Sequence, residues 1–309
     1  MQLGTLLPLG DIGGDPATVR EYAQAAESIG YNFVEAPDHV LGANEASRPE
    51  GDRTGAGLVH DPFVLFGFLA GCTSKLGFST GVLILPQRQT VLVAKQAASL
   101  DVLCGGRFRL GIGVGWNEVE FTGLNENFHN RGRRSEEQVQ VMQKLWAEPH
   151  VSFKGKWHTI EDAGINPMPA SRKVEVWFGG HHERTLPRIA KWGDGWMPNA
   201  YGPDQSALDV FAQLRRLTEE AGRAPAKVGI EVWVSMGTGT EADWAKETRF
   251  WKEAGASHLC LTTTFSRRHH KRIPGHTMGD HLAALRRYHT AVADLLEPLR
   301  CQRGCRSTG

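Results

Sequence analysis

The sequence predicts a closed (β/α)8 barrel with insertions, an α/β fold, on three observations. Short β-type runs alternate with amphipathic helical windows from end to end, the alternation repeats eight times in 309 residues, and neither half reads as a separate nucleotide domain. A barrel of about 250 residues plus insertions accommodates this length. We read one domain over residues 1–299, with insertions at about 40–61 and 148–170, and a tail at 300–309 that lacks an apolar pattern and reads as disordered.

The first unit is Leu3–Leu7 followed by Ala17–Ser28, where Val19, Tyr22, Ala23 and Ala26 fall on one helical face. Phe33–Ala36 is the second strand, and a polar loop from Val40 to Asp61 separates it from the helix Pro62–Cys72. Gly77–Val82 pairs with Val91–Leu103. Phe108–Gly113 pairs with Ser135–Ala147, whose Ser135 and Gln138 are spaced as a capping box. Val151–Ile160 breaks the alternation, because Lys154-Gly155 between aromatic and β-branched runs reads as a small hairpin. The last four units are Val174–Phe178 with Arg184–Lys191, Gly195–Pro198 with Asp204–Ala221, Val228–Ser235 with Ala242–Ala254, and His258–Thr262 with a helix near Met278–Leu296.

Composition excludes several classes of function. Lys plus Arg number 35 against 34 Asp plus Glu, a net charge of +1, which gives neither nucleic acid nor an anionic membrane a field to follow. The five cysteines, at 72, 104, 260, 301 and 305, include no C-x-x-C pair; they read as reduced, with no metal. The N-terminus shows no leader and no apolar run spans a bilayer, so the expected location is the cytoplasm.

A barrel places its chemistry where strands end and loops begin. Strand two ends in Pro37-Asp38-His39, under a loop long enough to be a lid. Strand four ends in Gly111-Ile112-Gly113-Val114-Gly115-Trp116. Its glycine spacing misses the dinucleotide fingerprint by one residue, and alternating glycines on one strand face instead leave room for something flat or bulky, with tight packing of barrel layers the alternative for Gly111 and Gly113. Strand five ends in Phe178-Gly179-Gly180-His181-His182 and runs into a helix, a ready place for a phosphate. Trp196 and Asn199 after strand six are candidates for the substrate pocket, with ordinary barrel packing equally open for Trp196. Arg131, Arg133 and Arg134 read as a solvated, structural cluster, with contact to an anionic ligand tail the lesser alternative.

The block "STGVLILPQRQTVLVAKQAASLDVLCGGRFRLGIGVGW" closely resembles the luciferase-like monooxygenase superfamily, as do "YNFVEAPDHV", "NRGRRSEEQ" and "VEVWFGGHHERTLPRIAKWGDGWMP". Pro37-Asp38-His39 with its long loop, and "WHTIEDAGINPMP", look most like the members that use the deazaflavin coenzyme F420. The resemblance implies a flavin-like ring held across the strand ends, with a non-proline cis peptide at Gly81-Val82 pressing on one ring face. It also implies Asp38 and His39 near the reactive edge, Gly115 and Trp116 flanking the cofactor, and Phe178, Gly179, Gly180 and His181 holding its phosphate. Where some F420-dependent sugar-phosphate dehydrogenases of this superfamily carry a glutamate after the glycine run, this chain has Trp116, which argues against a sugar phosphate. The sequence does not place the neighbouring Glu118 and Glu120.

The expected function is hydride transfer between the deazaflavin and a small organic substrate, reducing an activated C=C or C=N bond with His39 managing the proton. The alternatives are an FMN-dependent monooxygenase served by a separate cofactor-reducing enzyme, and a catalytically silent cofactor-binding protein. The resemblance further suggests a homodimer.

Overall fold

The structure is a computed structural model and describes residues 1–48, 57–237 and 239–297. The predicted disordered tail, Cys301, Cys305 and the middle of the long loop lie outside those residues.

In chain order the elements are β1 (Gln2–Leu6), α1 (Leu9–Ile12), α2 (Pro16–Ile29), β2 (Phe33–Ala36), α3 (Pro62–Ala70), β3 (Gly77–Thr80), β4 (Leu83–Ile84), α4 (Thr90–Leu103), β5 (Phe108–Gly113), α5 (Glu118–Gly123) and α6 (Arg131–Ala147). There follow β6 (Val151–Lys154), β7 (Thr159–Ala163), β8 (Glu175–Gly179), α7 (Thr185–Trp192), β9 (Gly195–Met197), α8 (Gln205–Glu220), β10 (Gly229–Ser235), α9 (Glu241–Ala254), β11 (His258–Thr262) and α10 (Met278–Val292). Strands run in the order β3-β2-β1-β11-β10-β9-β8-β5, all parallel, and β3 pairs back onto β5 through Phe78 with Phe108 and Ser79 with Arg109. The eight-stranded barrel is closed, as the alternation predicts.

Small and large residues are matched across the barrel interior. A Cβ on Gly4 would stand 2.2 Å from the Phe33 ring, and Cβ atoms on Gly195 and Gly229 would strike the Trp177 indole at 2.2 and 2.3 Å. These glycines are therefore the space in which two aromatic rings lie, as close packing requires. Arg109 lies between them, its guanidinium 4.5 Å from the Phe33 ring and 4.3 Å from Trp177. The ring of helices buries its apolar faces outside the strands; Tyr22, Ala23 and Ala26 of α2 are fully buried, on the face the spacing predicts.

Two local expectations need correction. Helix α6 starts at Arg131, four residues before Ser135, so no capping box forms there. Ser135 instead donates to the Gly132 carbonyl at 2.8 Å, and Gln138 points inward to the carbonyls of Leu85 and Arg88. Capping boxes do occur at Thr240–Asp243 and Thr277–Asp280, opening α9 and α10. The arginine cluster is not solvated as a unit. Arg131 stacks on Phe128 at 3.7 Å and donates to the Gly115 carbonyl, while Arg134 pairs with Glu126 and donates to the Pro86 carbonyl; only Arg133 is exposed. Burial of the first and last residues of "RGRR" turns them into loop anchors.

The hairpin forms as predicted, β6 against β7 antiparallel. Glu137 of α6 fastens its turn by accepting from the amides of Lys156, Trp157 and His158 at 2.8, 2.8 and 2.9 Å. Burial by itself would raise the Glu137 carboxyl, but the Trp157 amide, the His158 side chain and the Lys156 amide outweigh it and hold it below the usual carboxylate range. No helix among the described residues is long and apolar enough to cross a membrane.

Candidate functional site

The C-terminal ends of β2, β3, β5 and β8 converge on one mouth of the barrel, and two acids just beyond β2 play different parts there. Asp38 is buried. It accepts from the Ile84 amide at 3.0 Å and from Arg88 at 2.7 and 3.2 Å. Arg88 also reaches Asp61 at 2.9 Å, and Asp61 in turn caps the start of α3. One guanidinium thus ties together both ends of the 40–61 loop and the segment after β3. The Asp38 carboxylate is thus engaged on both oxygens by this clamp.

His39 points the other way. Its Nδ1 lies 3.3 Å from Glu120 Oε1, and that buried carboxylate also accepts from the Val40 amide at 2.8 Å and from Gln87 at 3.2 Å. A carboxylate so fixed keeps the Nδ1 proton in place and leaves Nε2 as the nitrogen that can exchange a proton. The His39 side chain is 26% exposed, and Trp116 stands edge-on to it with ring centroids 6.1 Å apart and 58% of its own surface open. Glu118 is exposed at the same helix start and takes no part in this arrangement. Sequence reasoning left Glu120 unplaced; its signal was a carboxylate one turn into the short helix after the glycine run.

The glycine run is read differently in three dimensions. A Cβ on Gly111 would stand 1.9 Å from the Thr80 carbonyl oxygen, one on Gly113 2.5 Å from Val82 Cγ2, and one on Gly115 2.6 Å from Ile84 Cγ2. A Cβ on Gly179, across the mouth on β8, would stand 2.7 Å from Val82 Cγ1. The glycines therefore admit the chain that leaves β3, rather than a cofactor directly. Val82, half-buried, is seated between the bare backbones of Gly113 and Gly179 and forms a saddle with them. The Gly81–Val82 peptide is cis.

Gly180 has φ +100°, a conformation that favours glycine, and its carbonyl accepts from the Trp196 indole at 2.8 Å. Trp196 is fully buried against Tyr201 and Phe211, so it anchors this turn and does not line a pocket. Asn199 is half-buried on the loop after β9. Helix α7 begins at Thr185, after a turn at 181–184, rather than directly at the glycine pair. Phe178 is buried, and the exposed His181 lies 3.4 Å from Arg268 on the loop after β11.

A luciferase-like monooxygenase family model matches residues 1–295. The chain belongs to that family. This luciferase-like chain is 35% identical over 211 residues to an uncharacterised protein of Mycobacterium tuberculosis, covering 65% of this chain and 71% of that one. It is 30% identical to the pyrimidine monooxygenase RutA of Bradyrhizobium over 250 residues, covering 75% and 65%. It is 29% identical to an F420-dependent hydroxymycolic acid dehydrogenase of Mycobacterium tuberculosis over 240 residues, covering 76% and 63%. Its fold matches an F420-dependent secondary alcohol dehydrogenase, solved with an F420-acetone adduct, with a TM-score of 0.76 at 20% identity over 96% and 99% of the two chains.

Beneath the saddle, the barrel of this family member carries a polar floor that sequence reasoning missed. Glu35 of β2, Glu231 of β10 and Cys260 of β11 bring their polar atoms within 4.8 Å of one another, all buried. That is a metal-like grouping, but Arg109 already pairs with Glu231 and hydrogen-bonds Ser79, so the compensating cation is a side chain. Burial, then the neighbouring Glu231, pushes the Glu35 carboxyl well above its ordinary range, so it holds its proton; its Oε1 meets the Trp233 indole at 3.0 Å. Gly81 must be glycine over this acid, since a Cβ there would fall 2.1 Å from the Glu35 carboxyl. Alternation inside strands names inward positions, but not which distant strands meet across a barrel.

Proposed function

We propose that this chain is a coenzyme F420-dependent oxidoreductase acting on a small organic substrate at the barrel mouth, and that it reduces an activated C=C or C=N bond. The observation that carries the reading is His39, its Nδ1 held by buried Glu120 and its ring beside exposed Trp116, at the edge of the saddle that Val82 forms with Gly113 and Gly179. The saddle suits a flat tricyclic ring: Gly113 and Gly179 flank Val82 with no side chain rising beside it. The F420-dependent relative and fold neighbour support the choice of cofactor.

The deazaflavin, when bound, supplies hydride chemistry at C5. The chain supplies the rest. Val82 would back one ring face, Trp116 and Gly115 would close its side, and the Gly179-Gly180-His181 turn would offer a glycine-lined approach for the phosphate. The apolar ends of the long loop, Val40, Leu41 and Leu58, are all more than 40% exposed and provide the cover that excludes water from the open face. His39 Nε2 donates or accepts the proton that accompanies hydride transfer, worth typically about 10² to 10⁴ in rate.

His39→Ala is expected to leave cofactor affinity within about threefold and to lower turnover at least about 100-fold. Glu120→Gln is expected to lower turnover by less and to shift its pH profile, because the carboxylate sets the His39 tautomer. Turnover unchanged in His39→Ala would remove this histidine from the mechanism.

A second reading, an FMN-dependent monooxygenase fed by a separate reductase, draws on the family description and on the RutA relative. Oxygen uptake with reduced FMN separates it from the first. Cofactor binding without any turnover would favour the silent binding protein. For quaternary structure we propose a homodimer through α3 and α4. Helix α3 reads PFVLFGFLA, apolar on every face, and leaves Val64 73% exposed near exposed Leu92 of α4.

A further inference from the structure

The mechanism makes no use of a second cluster at the same end of the barrel. Three loops meet there: His181 after β8, Tyr201 after β9, and the stretch Arg267-Arg268-His269-His270-Lys271 after β11. Arg268 sits at φ +59°, a backbone conformation unusual for a residue with a side chain, and its Nη2 comes 3.4 Å from His181 Nε2. Among the described residues, neither Arg267, Arg268 nor Lys271 has a carboxylate partner within 4 Å. Asp204, the acid nearest in charge effect, has its carboxylate engaged by Ser206 at the start of α8.

Two further observations bear on the charge balance of this cluster. His270 is 2% exposed and neither of its ring nitrogens has a hydrogen-bond partner. Burial first, then the neighbouring charges Arg268, His182 and Arg267, lower His181, and burial followed by His269 and Arg268 brings His270 down to about 4. Exposed guanidinium groups without a carboxylate partner are suited to carboxylates, which they bind through two parallel hydrogen bonds.

The cationic rim continues outward from the turn that receives the cofactor's phosphate in the reading above. We propose that Arg267 and Arg268, with His181 between them and the phosphate, bind the γ-linked glutamate tail of coenzyme F420, and that this loop selects the tailed deazaflavin over FMN, which ends at its phosphate. The inference rests on the proposed cofactor.

The test is a set of fluorescence titrations with four ligands: F420 bearing its glutamates, the same coenzyme without glutamates, the deazaflavin nucleoside without phosphate, and FMN. Wild type, Arg267→Ala/Arg268→Ala and Arg267→Lys/Arg268→Lys are compared, with thermal melting as the folding control. For the double alanine variant we expect the F420 Kd to rise about tenfold or more while that of the glutamate-free coenzyme moves about threefold or less. The lysine variant is expected to fall between. Raising salt from about 0.05 to about 0.5 M is expected to weaken wild-type F420 binding more than that of the alanine variant.

Equal losses with and without glutamates would overturn the tail assignment and give the arginines to the phosphate. Wild type that binds F420 with variants unmoved would overturn this inference alone. Wild type that binds neither phosphorylated deazaflavin would overturn the cofactor reading and this inference with it.

Discussion

Gly113→Ala probes the saddle directly. The added methyl would stand 2.5 Å from Val82 Cγ2, where ordinary carbon contacts are about 3.5 to 4.0 Å, so about 1 Å must be found. Val82 cannot yield sideways, because its other methyl already lies against Gly179. It can move only toward the open mouth, where the ring would lie. Overpacking of this kind costs about 1–3 kcal/mol, offset by about 0.4–1 kcal/mol from the stiffer unfolded chain, since Gly113 is not among the positive-φ glycines. The expected net loss is about 1–2 kcal/mol, a fall in melting temperature of a few degrees. Cofactor affinity should fall with it.

Val82→Ala removes the obstructing atoms, so the double variant Gly113→Ala/Val82→Ala should be more stable than the sum of the single changes by about 1 kcal/mol or more. Gly111→Ala is the control. Its methyl would strike the Thr80 carbonyl oxygen at 1.9 Å, and backbone cannot be relieved by a change at Val82. Melting curves and cofactor titrations on wild type, the three single variants and the doubles Gly113→Ala/Val82→Ala and Gly111→Ala/Val82→Ala decide the matter: strict additivity of Gly113→Ala and Val82→Ala, or equal rescue of Gly111→Ala, would refute the wedge.

Other predictions follow from the buried charges. Glu231→Gln strands the Arg109 guanidinium between two aromatic rings and should cost about 3–5 kcal/mol in melting experiments, whereas Glu35→Gln replaces an acid that already holds its proton and should cost about 1 kcal/mol or less; equal costs would contradict the assigned proton. Arg88→Ala frees both ends of the 40–61 loop and should expose it to limited proteolysis that wild type resists, an effect absent in Arg133→Ala, whose parent side chain is exposed. Burial lowers His270 to about 4 and His258 well below 6.5, so the unfolded chain binds more protons in between; their stability is complete above about 6.5 and is lost as pH falls toward 4. Melting temperature should therefore fall over that range, and His270→Gln should flatten the slope; an unchanged slope would exclude His270 as a contributor.

The barrel was legible because each strand and helix announces itself locally: a period of two or of 3.6, caps and glycine stops. The mouth was legible for the same reason, since His39, Val82, Trp116 and Gly180 lie just past strand ends. What escaped were partners made by closure. Nothing in the sequence spacing brings Glu120 to His39, 81 residues away, or Arg109 to Glu231, 122 residues away. Arg88 was passed over because an arginine in a loop reads as solvated until its two aspartates are seen. Of the two readings open for the glycines, close packing describes Gly111 and Gly113, whose space is taken by Thr80 and Val82 of the same chain. Trp196 shows the converse, a large aromatic at a strand end that serves packing and an anchor for the Gly180 carbonyl.

The central claim, that this mouth holds a deazaflavin, is tested most directly by titrating the purified protein with F420 and with FMN and following cofactor fluorescence. The account predicts micromolar or tighter binding of F420, with FMN far weaker. Tight binding of FMN with F420 weak or absent would contradict it and assign the same barrel to reduced-flavin oxygen chemistry.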